Sequence, residues 1–113
     1  RVLFRSILYP KGAVTPGGMT DRWLADYPNF FADLSAGSGV NAFARDEENA
    51  RAFLLRHQDK LLFGSDCQDV EGEKDERCVG SKQLNAIQRL IADRKVREKI
   101  LYRNASRLLK IRI

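Results

Sequence analysis

One histidine in 113 residues is the tightest restriction this sequence imposes. Zinc and similar ions are held by several histidines or cysteines in concert, so a histidine-rich metal site cannot be assembled from these residues. Cysteine is nearly as scarce, with Cys67 and Cys78 alone, and their spacing fits neither a zinc ribbon nor a Cys-x-x-Cys redox pair. A loop-closing disulfide, two free thiols and, last, a pair of metal ligands all stay open. No apolar run approaches the roughly 18 residues of a membrane span, so no membrane partner is expected. No signal-peptide pattern stands at the first residues, but the chain begins at Arg1 rather than Met and its compartment is left unassigned.

Aspartate and glutamate are sparse in the last third. From Lys82 to Ile113 ten Lys or Arg stand against Asp93 and Glu98, whereas 66–77 carries six acids against Lys74 and Arg77. The net charge of +5 invites a nucleic-acid reading. Yet the basic residues fall at helical spacing on amphipathic segments, without aromatic residues interleaved for base stacking, which predicts a solvated outer face and no nucleic-acid partner. An apolar fraction of 43% is that of a globular domain.

What is present centres on Lys60-Leu61-Leu62-Phe63-Gly64-Ser65-Asp66. The apolar run lacks alternation, the pattern of a strand covered on both faces in a parallel sheet. It ends in Gly-Ser and then a carboxylate, and the C-terminal ends of such strands are where α/β enzymes keep their chemistry. A second strand is predicted over 29–35, with Phe30, Phe31, Ala32 and Leu34 interrupted by Asp33. Between them Asp46 is expected to cap a helix over 46–58, with Glu47 and Glu48 in its first turn. Ala50, Phe53, Leu54 and His57 make its inward face. This strand-helix-strand unit has the length of a parallel crossover, and its consequence is that Ser35 and Asp66 open onto one face. His57 falls at the other end of the strand, where a structural histidine is expected rather than a ligand or base.

The remaining segments follow from turn and helix signals. Residues 1–8 read as a strand remnant, and Lys11 to Gly18 as a loop. Thr20 is expected to cap a short helix through Trp23, Leu24 and Asp26 that Pro28 stops. The run Ser35-Ala36-Gly37-Ser38-Gly39 reads as a flexible connection, with no Lys-Ser/Thr to make it a phosphate loop. The acidic stretch after Asp66, about a dozen residues, is longer than most connections and reads either as a functional lid or as a poorly ordered loop. Two helices close the chain: one near 83–92 burying Leu84, Ile87 and Ile91, the other near 95–109 burying Val96, Ile100, Leu101, Ala105 and Leu108. Asn104, on the inward side, is assigned to satisfying backbone groups.

Three blocks together resemble a known family: Tyr27-Pro28-Asn29-Phe30-Phe31-Ala32-Asp33-Leu34-Ser35, the Gly64-Ser65-Asp66 strand end, and Ile100-Leu101-Tyr102-Arg103-Asn104-Ala105 with Leu108. Over residues 9–110 the chain is similar to the C-terminal part of the amidohydrolase superfamily, in the amidohydrolase-related (amidohydrolase 2) branch that also contains decarboxylases. The resemblance implies an α/β chain forming the C-terminal part of a (β/α)8 TIM barrel: about two parallel strands, their flanking helices and a closing helix pair, in one partial domain over 1–113. Such a barrel needs about 250 residues. The family's His-x-His pair and further histidines have no counterpart here. Its last-strand aspartate does, in Asp66, which the resemblance makes both metal ligand and catalytic residue. Ser35 and Asp33 are the candidate substrate-binding residues, with Asp33 also fitting a buried carboxylate paired to a base.

On this reading the chain is the C-terminal portion of a hydrolase that uses a divalent metal, zinc first among the candidates, to activate water against a C–N, C–O or C–C bond of a small molecule. Alone it would be inactive. A homo-oligomer of the full-length protein is left open. The alternatives are a non-oxidative decarboxylase of the same superfamily and a small α/β binding module that takes an anionic partner on its basic last helices. A partial barrel would also leave both sheet edges bare and favour self-association.

Overall fold

The computed structural model describes residues 9–68 and 78–112. The strand remnant expected over 1–8 and most of the acidic loop, 69–77, lie outside the described residues.

The first helix, α1 (Met19–Asp26), starts earlier than Thr20 suggests: Gly18 is its N-cap. Asp21, in the first turn, accepts from the Gly17 N–H at 3.3 Å, ahead of the helix, and no side chain caps the helix itself, so the Thr20 hydroxyl does not make the cap expected of it. The helix stops where Pro28 requires. Tyr27, the residue before it, is extended at φ −111° and ψ 111°, as the proline ring demands of its predecessor. Leu24 alone of this helix is buried, and Trp23 meets Phe30 edge to face at 5.6 Å.

Two short strands follow, β1 (Ala32–Asp33) and β2 (Leu61–Leu62), parallel and in register Ala32 with Leu61 and Asp33 with Leu62. The ladder runs a residue further at each end through Ala32 N to Lys60 O (3.0 Å) and Leu34 N to Leu62 O (2.9 Å). Both strands are shorter than 29–35 and 60–66, but their pairing is the expected one. The other edge of β2 is covered: Phe63 N–H donates to Ile100 O at 3.0 Å and the Asn104 amide donates to Leu61 O at 2.9 Å. The expectation of two bare edges therefore fails at β2, and only the outer edge of β1 has no strand beside it among the described residues.

Two helices make the crossover, α2 (Ala36–Ala44) and α3 (Glu47–Arg56). The small-residue run read as a flexible connection is the beginning of α2, capped by Ser35. Its glycines answer a packing demand: a Cβ on Gly39 would lie 2.2 Å from Leu34 O and 3.0 Å from Gln83 Nε2. Asp46 caps α3 as predicted, Oδ1 accepting from Asn49 N–H at 3.1 Å while Oδ2 accepts from Val14 N–H at 2.9 Å. Those backbone bonds, Val14 first, hold its carboxyl below the usual range. Arg45 Nε adds a bond to Gly12 O at 2.8 Å, and Asn41 one to Pro10 O at 3.1 Å, so the incoming chain is strapped across α2 and α3.

Helix α4 (Val79–Leu90) begins before the expected 83, and its inward residues are Gly80, Gln83, Ile87 and Leu90, with Gln83 taking the place assigned to Leu84. The last helix has three parts: α5 (Arg94–Glu98), a π-helical turn (Lys99–Arg103) and α6 (Asn104–Leu109). Residues four apart drift by about 40° around an α-helix. The wider π turn takes up that drift, and Val96, Ile100 and Asn104 share one buried face. Leu108, expected inside, is 43% exposed. The core is Leu24, Leu34, Phe43, Ala50, Leu54, Leu61, Ile87, Leu90, Ile91, Val96 and Ile100, gathered around the strand pair.

Candidate functional site

Parallel pairing brings the C-terminal ends of β1 and β2 to one edge, and the side chains there are small or acidic. A Cβ on Gly64 would stand 2.8 Å from Asp33 Oδ1 and 3.1 Å from Ser35 Cβ, so Asp33 and Ser35 close over the β2 backbone where only glycine fits. Asp33 is exposed, and its Oδ1 accepts from the Ser35 N–H at 2.8 Å. The buried carboxylate paired with a base is thus not what forms; Asp33 fixes the turn that opens α2. The next residue, Ala36, has φ 68°, a left-handed conformation that a Cβ disfavours.

Asp66 stands two residues beyond Gly64, exposed and also left-handed, at φ 50°. Cys67 N–H donates to Ser65 Oγ at 3.3 Å, folding the chain back behind it. Cys67 is joined by a disulfide to Cys78, the N-cap of α4, with Cα atoms 5.0 Å apart, which resolves the three options open from the sequence. A Cβ on Gly80 would lie 2.5 Å from Ser65 Cβ, so α4 starts in direct contact with the strand end.

Gln83 is the member of this region that a sequence reading misses, because a polar residue on an amphipathic helix is assigned outward. It is 1% exposed, with Nε2 donating to Leu34 O at 2.8 Å and Oε1 lacking a protein partner among the described residues. A groove of about 420 Å³ runs along the outer side of β1, walled by Val14, Met19, Leu34, Ser35, Phe43 and Phe53. Asp33 and Ser35 belong to its wall and Asp66 does not.

His57 sits at the other end of the sheet, as predicted. It is the C-cap of α3 and 4% exposed. Its Nε2 donates to Asp21 Oδ1 at 2.5 Å, and its ring meets Phe53 edge to face at 4.9 Å. The bond from His57, with those from Arg56, holds the Asp21 carboxyl below its ordinary value. Among the described residues no three His, Cys, Asp or Glu side chains gather to hold a metal ion. The metal that the resemblance implies therefore has no site in these residues alone; Asp66 offers one carboxylate.

The cations of the last helices are largely engaged. Arg94 and Arg103 both grip Glu98, at 2.9 and 3.1 Å, which keeps that carboxyl low, Arg103 first. Lys99 pairs with Asp59 at 2.9 Å, Arg89 with Glu47, and Arg97 Nη1 donates to the carbonyls of Ile91 and Ala92, each at 2.8 Å. Among the described residues no helix is long and apolar enough to cross a membrane.

Comparison with known families decides what the strand edge belongs to: residues 18–111 match the amidohydrolase family model. The chain belongs to the amidohydrolase family. Its function at the family level is that of a hydrolase, and members of the superfamily commonly use divalent metals. No curated protein and no solved structure matches this amidohydrolase chain. The match spans α1, both strands and the closing helices, the same elements that build the edge carrying Asp33, Ser35 and Asp66.

Proposed function

We propose that this amidohydrolase chain is the C-terminal portion of a divalent-metal-dependent hydrolase acting on a small molecule, with β1 and β2 as the last two strands of a (β/α)8 barrel. The observation that carries the reading is the parallel pair joined through α2 and α3, which puts Asp33, Ser35 and Asp66 at one strand edge. In a barrel that edge is the catalytic mouth.

The metal, zinc first among the candidates, supplies an acidified water when bound, and all its ligands other than Asp66 come from outside the described residues. Asp66 accepts a proton from the attacking water on one carboxylate oxygen and returns it to the leaving group. Asp66 is exposed, so its carboxylate is open to water and substrate. Asp33 shapes the Ser35 turn, and the Ser35 hydroxyl lines the substrate side.

The test is Asp66→Asn in the full-length protein. Turnover is expected to fall by about 100-fold or more, with the circular dichroism spectrum unchanged. Turnover within a few-fold of the parent would overturn the assignment.

A further inference from the structure

Among the described residues few bonds hold the chain around Asp66. Asp66 occupies a left-handed conformation at φ 50°, one that aspartate adopts more readily than most residues with a side chain, so its register depends on what ties the chain down rather than on backbone strain. One backbone bond, Cys67 N–H to Ser65 Oγ, lies behind it. The anchor on the far side is firm: α4 buries Gln83, Ile87 and Leu90, and its first turn presses on Ser65 through Gly80. The Cys67–Cys78 disulfide ties the residue next to Asp66 to the N-cap of that helix.

We propose that this disulfide is a redox-controlled clamp that holds Asp66 in register for reaction, so that Cys67 and Cys78 are positioning residues and a dithiol reductant switches the site off. This rests on the reading of Asp66 as the reacting carboxylate. Reduction is an exchange. A reductant thiolate attacks one cystine sulfur, the S–S bond breaks, and the other sulfur leaves as a thiolate that takes up a proton. The reductant's second thiol then resolves the mixed disulfide and departs as a ring-closed disulfide, so its two electrons end on Cys67 and Cys78 as thiols. With the bond open, among the described residues the contact of Gly80 with Ser65 and the Cys67 N–H to Ser65 Oγ bond remain at the turn, and Asp66 loses its fixed register. A displacement of about 1 Å at a reacting group can cost about 100-fold in rate.

The test equilibrates the full-length protein with mixtures of oxidised and reduced dithiothreitol, counts free thiols by alkylation and mass, and measures turnover and amide exchange over 65–68. Turnover is expected to fall about 100-fold in kcat, with KM little changed, in step with the reduced fraction, and to return on reoxidation. Cys67→Ser and Cys78→Ser should stay at the reduced rate in every mixture. Amide exchange over 65–68 should quicken on reduction. Full turnover with both thiols free overturns the clamp, and so does unchanged exchange. Quickened exchange in a protein that hydrolyses nothing in either state leaves the clamp standing and sinks the assignment of Asp66.

Discussion

Where the two strands begin, side chains are bonded several times over; where they end, the side chains are small, exposed or strained. At the beginning, Lys60 Nζ donates to the carbonyls of Leu24 and Tyr27 at the end of α1. Asn104, fully buried, donates to Gln58 O at 2.7 Å and to Leu61 O, and His57 and Arg56 share Asp21. Arg107 holds Asp59 O at 3.0 Å. At the other end Ala36 and Asp66 are left-handed, and glycines stand where strand and helix backbones meet. The contrast is that of a closely bonded floor and an exposed rim, and a rim carrying left-handed backbone can draw on stability built into the floor.

That contrast is broken most directly at Asn104. Asn104→Leu strands the buried carbonyl of Leu61 and the part-buried one of Gln58 and should destabilise the protein by about 3 kcal/mol in urea unfolding; a loss below about 1 kcal/mol would mean that the floor is not where stability resides. Substitutions at the rim should have the opposite sign. Ala36→Gly relieves left-handed backbone and should stabilise by about 1 kcal/mol; Asp66→Gly should stabilise by less, since aspartate itself tolerates that conformation, and should abolish turnover. Destabilisation by Ala36→Gly would remove the case for strain.

The smallest effect is read in acid. Folding holds Asp21 below its unfolded value of 3.8, so the folded state binds fewer protons through that window. The contribution of Asp21 is full above about pH 4 and is lost as pH falls through the folded value. Asp21→Asn should flatten this limb of the melting temperature against pH by the equivalent of less than about 1 kcal/mol; an unchanged acid limb would mean that the His57 bond does not persist in solution.

The floor was largely legible in the sequence and the rim only in part. Asp46 and its acidic first turn announced α3, the unbroken apolar run announced β2, and Asn104 was assigned to backbone groups because a buried amide at that helical phase has no other use. The rim conceals itself because a glycine there serves contact rather than turning: the run around Gly37 and Gly39 reads as a loop, yet it begins a helix in which Gly39 must pass close to Leu34 O and the Gln83 amide. Gln83 escaped for the same reason, since its partner is a strand carbonyl that no helical pattern reveals. The inward placement of Leu108 failed because the π turn shifts the phase of the last helix, and periodicity counted at 3.6 residues carries no sign of it. Asp66 was placed at the strand edge by its position after Gly-Ser, but the covalent tether beside it was one option among three until Cys67 and Cys78 were seen together.

The covered edge of β2 also sets how this sheet can grow. An open strand edge recruits another by backbone bonding, and two open edges let the process repeat without end. Here Ile100 and Asn104 occupy one edge, so among the described residues β1 alone can add a strand. Two copies meeting through β1 would give four strands closed at both ends by their own last helices. Strand addition to the described residues ends at the pair, and the π turn with the start of α6 acts as a chain terminator against fibres.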